Sequence, residues 1–221
     1  MKNIIALASL AAISATASAA GNLFVDGSFE SIGQAPGTWN TYASVPGWTV
    51  TQANGTPSPH GLEVRDGVAG TAEDGNNFIE LDGYENDKIS QSFTTVVGRD
   101  YEITFVYEDR PDVSSAFLEG TPATKGHPAV QGSGGFAYTY TGAGVTTYAG
   151  AFGSFWHEAV IDFTAVSTTT KFSIWAVGKS DGYGTSFDDF TATAAVPEPA
   201  SIGLFAAGMA LLGLSARRRR S

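Results

Sequence analysis

The sequence predicts an all-β domain, a two-sheet β-sandwich of the jelly-roll type, between a short leader and an apolar tail. Three observations predict this fold. Short runs rich in Thr, Val, Phe and Tyr alternate with turn residues, and the chain has 27 glycines. Between residues 20 and 195, no helical spacing of apolar residues continues over a useful length. Roughly ten short strands in a segment of this size are typical of two packed sheets.

The strands can be placed from their composition and their alternation. In residues 101–107 the odd positions, and in residues 171–177 the even positions, form an apolar face. Trp48 and Trp175 lie inside predicted strands and are predicted to be core residues. A long loop is expected at residues 111–135. We predict strands at residues 22–25, 48–52, 62–65, 78–81, 88–95, 101–108, 135–141, 157–164, 169–177 and 186–193.

Composition restricts the classes of function. Residues 20–195 keep seven of the 12 basic and 21 of the 22 acidic residues, so this domain has a net charge of −14. Such a charge argues against a nucleic acid partner, because the phosphates would be repelled. The chain has no cysteine, which excludes disulfides, thiol catalysis and Cys-based zinc sites. A neutral partner or a cation such as Ca²⁺ fits this composition.

The N-terminal segment, residues 1–19, is typical of a secretory signal peptide. A short basic stretch precedes an apolar run at residues 4–13, and small residues follow at 17–19. Signal peptidase is therefore expected to cleave before Ala20 or Gly21. The alternative, a first transmembrane helix, is disfavoured because the run is short and rich in Ala and Ser. We predict export through the Sec machinery.

The C-terminal segment, residues 196–221, has three parts. A rigid spacer, in which proline blocks helix formation, consists of Pro197, Glu198 and Pro199. The uncharged run at residues 200–216 is predicted to form one transmembrane helix. The basic end, expected to stay on the cytoplasmic side, consists of Arg217, Arg218, Arg219 and Arg220. A buried core helix is the alternative, but the run has no polar face to suit it.

This order of spacer, apolar helix and arginine cluster resembles the PEP-CTERM sorting signal of Gram-negative bacteria that make exopolysaccharide. The resemblance implies that an exosortase, a membrane transpeptidase, processes the tail near Pro197. It also implies that the tail holds the protein in the inner membrane only transiently. The upstream domain, residues 20–195, would then reach the cell surface or the extracellular matrix.

Several phrases in the domain resemble galactose-binding-like jelly-roll domains, which are close to carbohydrate-binding modules. These phrases lie at residues 22–30, 45–50, 74–83, 89–95, 98–105 and 186–190. The resemblance implies that the domain binds polysaccharide. It also implies a structural calcium ion held by Glu30 and Asp189.

The residues themselves also favour a cation site. Asp26 and Glu30 open the domain, and Asp188 and Asp189 lie on its last predicted strand. The first and last strands of a jelly roll are often neighbours, so these carboxylates can converge with backbone carbonyls around Ca²⁺. The alternative is that Asp26 begins a turn and Asp188 faces solvent.

A sugar-binding platform is the second candidate site. Aromatic rings stack on sugar faces while polar side chains bind the hydroxyls. Trp156 and Tyr183 lie near Gly-rich loops, and Asp74, Asn76 and Arg110 are the predicted polar companions. The alternative is that these rings pack in the core or at a sheet edge.

Paired carboxylates for glycoside cleavage are a third possibility, with Glu63 beside Glu80 or Glu108 beside Asp109. Among 21 acidic residues, however, some proximity is expected by chance. We therefore predict a protein that is not an enzyme and that binds or organises extracellular polysaccharide. The alternatives are a structural biofilm-matrix protein without a specific ligand and a polysaccharide-cleaving enzyme.

Overall fold

The computed structural model describes residues 21–111, 134–148 and 153–195, all within one compact unit, Gly21–Ala195. The signal peptide predicted at residues 1–19 and the sorting tail predicted at residues 196–221 lie outside the described residues, as does most of the predicted long loop. In the part that is described, no helix has the length and hydropathy that crossing a bilayer requires.

The described chain forms two antiparallel sheets and a single short 3₁₀ helix, Glu30–Ile32. The strands are β1 (Thr38–Tyr42), β2 (Thr49–Gln52), β3 (Leu62–Asp66), β4 (Asn77–Glu80), β5 (Asp87–Thr94), β6 (Asp100–Asp109), β7 (Phe136–Tyr140), β8 (Thr146–Tyr148), β9 (His157–Thr164), β10 (Thr169–Ala176) and β11 (Thr185–Ala194). One sheet has six strands in the order β1-β3-β4-β11-β6-β9, and the other has five in the order β2-β5-β10-β7-β8. The all-β, two-sheet prediction is confirmed.

Aromatic side chains between the two sheets make up much of the core. The ring of Phe105 on β6 lies 5.7 Å from that of Phe136 on β7 and 6.1 Å from that of Phe172 on β10. Phe190 on β11 stacks on Phe105 at 5.2 Å. Burying each such ring stabilises the fold by roughly 1.5–3 kcal/mol. The alternation predicted for residues 101–107 is confirmed, because its odd positions are the buried ones.

The strand predicted at residues 22–25 is wrong, although this segment does lie beside the last strand. The backbone N–H of Leu23 donates to the carbonyl of Ala192 on β11 at 2.8 Å. On its other side the segment meets a side chain: the amide of Gln91 accepts from Val25 N at 2.7 Å and donates to Val25 O at 3.1 Å. Asp26 then adopts a positive φ of 53°, which ends the extended run.

The core prediction holds for Trp48, which is buried, and is wrong for Trp175. Trp175 is half-buried on the outer face of the five-stranded sheet, where it opposes Lys88 and Ala137. Its neighbour Ile174 takes the core position, since successive residues of a strand face opposite sides.

Two strands, β1 and β8, were not predicted. Their residues are exposed or half-buried, so neither strand shows an apolar alternation in the sequence.

Candidate functional site on the six-stranded sheet

Four polar residues form a line across the outer face of the six-stranded sheet. Glu63 opposes Glu80, Glu80 opposes Ser186, and Ser186 opposes Glu108 in the strand register. Directly opposed residues of antiparallel strands share a face, so these four side chains form one row, here called the acid row. All four are at most 5% exposed, although outer sheet faces are ordinarily solvated.

Arg65 compensates the charge at one end of the acid row. Its Nε lies 2.6 Å from Glu63 Oε1, and its Nη2 pairs with Glu80 Oε2. The guanidinium is completely buried, and its Nη1 has no hydrogen-bond partner among the described residues. The backbone N–H of Gly184 donates to Glu80 Oε1 at 2.7 Å. Burial raises the pKa of Glu80, and the guanidinium of Arg65 opposes that rise.

Arg110 and Tyr183 form a cation–π pair next to Glu80, here called the platform. The Arg110 guanidinium carbon lies 5.1 Å from the centre of the Tyr183 ring. Arg110 Nη1 donates to Gly182 O at 2.9 Å and lies 3.9 Å from Glu80 Oε2. Tyr183 is 47% exposed, so the platform combines an accessible ring with an oriented cation. The structure thus brings together two of the five residues predicted to bind sugar.

A second ring, Trp156, lies near the other end of the row. It packs edge-to-face on Phe78 with ring centres 6.1 Å apart, and Phe78 directly opposes Arg65 on the same outer face. Trp156 Nε1 donates to Thr71 O at 3.1 Å. Burial and the neighbouring Asp109 raise the pKa of Glu108 to about 7. An apolar wall therefore borders the Glu108 end.

The middle of the acid row holds an unsatisfied hydroxyl. Ser186 Oγ is buried without a hydrogen-bond partner among the described residues. Leaving a buried polar group unpaired costs about 1–3 kcal/mol. Like Arg65 Nη1, this hydroxyl lies beneath the solvent-accessible surface.

The other two predicted sugar ligands, Asp74 and Asn76, lie on the loop before β4. Their side chains are exposed, and their backbone N–H groups are held by Asp188 Oδ2 at 2.9 Å and by Glu30 Oε1 at 2.8 Å. Their role as sugar ligands stays a prediction.

The four residues predicted to bind calcium lie around the corner where the N-terminal segment runs beside β11. Phe190 N donates to Gly27 O at 3.0 Å across this corner, and Asp189 has a φ of 46° beside a β-bulge. Glu30 and Asp188 each accept two backbone N–H bonds from residues 73–77. Both carboxylates therefore fasten this loop to the sheet.

Asp26 has one carboxylate oxygen that is buried and unsatisfied. Its Oδ1 accepts from Ser31 N at 3.0 Å, and its Oδ2 is buried without a hydrogen-bond partner among the described residues. Burial raises the pKa of Asp189, and the charges of Asp74 and Glu158 raise it further. An orphaned, buried carboxylate oxygen is a ligand that suits a hard cation. Within the described ranges, however, no three His, Asp or Glu side chains are grouped to hold a metal by themselves, so carbonyl oxygens would have to complete its coordination.

The structure arranges the two carboxylate pairs considered for catalysis in different ways. Glu63 and Glu80 are adjacent, but Arg65 bridges them. Glu108 and Asp109 are consecutive on β6 and therefore point to opposite faces. Sequence reasoning missed the acid row itself, since its members come from four strands and no spacing along the chain relates them.

Comparison with known proteins identifies the tail and the fold. Residues 195–220 match the family described as the PEP-CTERM protein-sorting motif. Such a motif indicates an exported, membrane-processed protein. A comparison with curated proteins found no match.

The chain also matches several solved structures at low identity. A Stig cyclase, FisC from Fischerella sp. TAU, is 15% identical, with a TM-score of 0.58 over 82% of this chain and 100% of the cyclase. TmCBM61, solved with beta-1,4-galactotriose, is 15% identical, with a TM-score of 0.44 over 79% and 99% of the two chains. A family 35 carbohydrate-binding module from Clostridium thermocellum is 14% identical, with a TM-score of 0.39 over 72% and 99%. At such identity, the likeness to the cyclase shows a shared fold alone. The chain thus joins a two-sheet β-sandwich to a C-terminal PEP-CTERM protein-sorting motif.

Proposed function

We propose that this exported protein uses its β-sandwich to bind extracellular polysaccharide without catalysis, at the surface of a Gram-negative cell or in its matrix. The observation that carries the proposal is the platform of Arg110 and Tyr183. A ring that is 47% exposed, with a guanidinium held over one of its faces, offers both a stacking surface and hydrogen-bond donors, which is the combination a sugar ring requires. The sorting motif supports an extracellular setting, and the tail would engage exosortase and the membrane before processing.

The acid row, which lies close to the platform, bears on the charge of the ligand. Ser186 Oγ and Arg65 Nη1 are fully buried, so a bound sugar would lie above them without bonding to them directly. Trp156 borders the row on the side away from Tyr183 and would limit the length of the bound segment. The acid row thus suits a neutral polyol, since its carboxylates would repel an acidic sugar.

Binding of the purified unit Gly21–Ala195 to a glycan panel that includes the host exopolysaccharide tests the proposal. We expect saturable binding to one neutral glycan class, measured by titration calorimetry. Replacing Tyr183 with alanine should weaken that binding roughly tenfold, and Arg110→Ala should do the same. Tyr84→Ala is the matched control, because Tyr84 is also an exposed ring, 56% accessible, but stacks on His60 in another loop.

The possible results separate the three functional classes. Equal loss of binding in the Tyr183 and Tyr84 variants would contradict the platform as the site. No saturable binding across the panel would favour a matrix protein without a defined ligand. Release of reducing ends that is lost in Glu108→Gln would favour a polysaccharide-cleaving enzyme.

We also propose that a structural Ca²⁺ binds at the corner formed by Asp26, Glu30, Asp188 and Asp189. Its support is the orphaned, buried Oδ2 of Asp26, which a cation would neutralise. Ca²⁺ bound there would tie the N-terminal segment to β11 and to the loop held by Glu30.

EDTA is expected to lower the melting temperature of the unit by several degrees, because removing a ligand of the folded state removes its linked stability. Asp26→Asn should melt at one temperature with or without EDTA. This variant tests the calcium site more specifically than Glu30→Ala, because Glu30→Ala would also remove the acceptor of two backbone N–H groups. An EDTA-insensitive melt of the unaltered protein would remove the calcium site from consideration.

A further inference from the structure

The outer face of the five-stranded sheet differs in charge from the face that carries the acid row. The register places thirteen residues on it: Thr49, Thr51, Lys88, Ser90, Ser92, Thr94, Ala137, Thr139, Thr147, Thr169, Lys171, Ser173 and Trp175. Nine carry hydroxyls, two are lysines, and none is acidic. The outer face of the six-stranded sheet, by contrast, carries the carboxylates of Glu63, Glu80, Glu102, Glu108, Glu158, Asp162 and Asp188.

A groove of about 370 Å³ lies on this hydroxyl-rich face, here called the lysine groove. It opens where β2 begins, so that β5 continues past the end of its neighbour. Its polar lining is Thr49, Ser90, Gln91, Ser92 and Lys171. Val25, which is 58% exposed, forms an apolar wall.

The groove is rigid on one side and carries an uncompensated charge on the other. Both polar groups of the Gln91 amide are bonded to Val25, which fixes that wall. Lys171 is exposed and has no ion-pair partner among residues 21–111, 134–148 and 153–195. In a domain of net charge −14, a lysine free of carboxylates on a face that has none marks a place for an anion.

An aromatic ring extends the same face along β5 and β10. Trp175 is half-buried there, with Lys88 Nζ 5.8 Å from the centre of its ring. From Lys88 to Ser92 the strand advances about 13 Å, so the two lysines lie towards opposite ends of a track lined by Ser90 and Ser173. Ring, hydroxyls and spaced cations together suit a polymer of sugars that bear carboxylates, since each group has a counterpart in such a chain.

We propose that the lysine groove binds a uronate segment of an acidic polysaccharide, with Lys171 on a sugar carboxylate and Trp175 under a sugar ring. This site is separate from the platform of Arg110 and Tyr183 and prefers an anionic ligand, whereas the platform prefers a neutral one. One sandwich would therefore hold two kinds of polysaccharide on its two outer faces. A protein with two such sites cross-links chains, which gives a physical route to organising a matrix.

Polygalacturonate and its fully methyl-esterified form are the probes, because they share a backbone and differ in charge. We expect the unit Gly21–Ala195, once its cooperative unfolding is confirmed, to bind the acid form saturably and the ester at least tenfold more weakly. Lys171→Gln should weaken binding to the acid form roughly tenfold, the effect expected for losing one charge-assisted hydrogen bond. Lys179→Gln is the control, since it changes the charge equally at a 73% exposed lysine off this face.

A second pair of variants tests the groove itself. Ser92→Glu places a carboxylate among the lining residues and should abolish binding of polygalacturonate. Thr147→Glu adds the same charge at an exposed position on β8, the far edge of the same face, and should leave most of the binding intact. Both positions are exposed, so neither substitution is expected to destabilise the fold.

Two variants distinguish binding at the lysine groove from binding at the neutral-glycan site. Tyr183→Ala should leave polygalacturonate binding unchanged, and Lys171→Gln should leave neutral-glycan binding unchanged. Equal affinity for the acid and the ester would overturn the proposal, as would equal losses in the Lys171 and Lys179 variants, which would indicate non-specific attraction. Absence of binding to polygalacturonate at low salt, where charge attraction is least screened, would also overturn it.

Discussion

Replacing Arg65 with methionine is expected to lower the free energy of unfolding of the unit Gly21–Ala195 by about 3–5 kcal/mol. Arg65 is fully buried and is paired with both Glu63 and Glu80. Methionine fills a similar volume but leaves two buried carboxylates that must either remain charged without a partner or take up protons. Urea denaturation at neutral pH, followed by tryptophan fluorescence, measures the loss.

Two further variants show whether the lost charge pairing is the cause. Arg99→Met removes an exposed guanidinium and should change stability by less than about 0.5 kcal/mol. Adding Glu63→Gln and Glu80→Gln to Arg65→Met should restore at least half of the loss, since no buried charge then lacks its partner. A loss below about 1 kcal/mol for Arg65→Met, or no recovery in the triple variant, would contradict this assignment.

The unit is also expected to become more stable as the pH falls from 8 to 5, with Asp87 as a principal cause. Burial, with a smaller contribution from the charges of Glu85 and Asp82, raises the pKa of Asp87 from 3.8 to about 7. One pKa unit corresponds to about 1.4 kcal/mol, so this carboxyl alone contributes a change on the order of 2–4 kcal/mol. Burial likewise raises the pKa values of Glu108 and Asp188 to about 7.

The sign follows from which state holds the proton. Below pH 7 the folded state keeps the Asp87 proton, whereas the unfolded chain releases it until the pH falls to about 4. Stability therefore rises as the pH falls through 7 and levels off near 4. Above pH 7 both states are ionised, and the folded state bears the full cost of a buried charge.

Asp87→Asn should therefore be more stable than the unaltered protein at pH 8, with a difference that shrinks as the pH falls and closes only near pH 4. Urea midpoints measured across this range, with EDTA present to exclude bound metal, provide the comparison. Glu73→Gln changes an exposed carboxyl whose contact with Asp188 is through its backbone, so it should keep the original pH dependence. A flat stability profile between pH 5 and 8, or the same profile in Asp87→Asn, would refute the prediction.

The sequence predictions succeeded where a pattern within one strand decides the structure, and failed where a contact with a distant residue decides it. Alternation in residues 101–107 and 171–177 identified the faces of β6 and β10, because the period of two follows from strand geometry. The core assignment of Trp175 failed since residue type was given more weight than that alternation. Residues 22–25 failed as a strand because the pairing on one side comes from the Gln91 side chain, which no local pattern reveals.

The candidate sites show the same difference between what a local pattern predicts and what contacts between distant strands decide. Arg110 and Tyr183 were predicted from residue type, and the structure joins them because the end of β6 meets the loop before β11. Nothing in the sequence relates Ser186 to Glu80, or Lys171 to Ser92, since these pairs depend on which strands become neighbours.

By itself, the sequence determined the all-β class, the acidic and cysteine-free character of the domain and the sorting motif at its end, since each of these follows from composition or from a contiguous pattern. Only the tertiary structure decided that Glu63, Glu80, Ser186 and Glu108 form one buried row and that the opposite outer face has lysines but no carboxylates. The physical reason is strand register. Neighbouring strands are distant along the chain, and a shift of one residue would turn each of these side chains to the other face of its sheet.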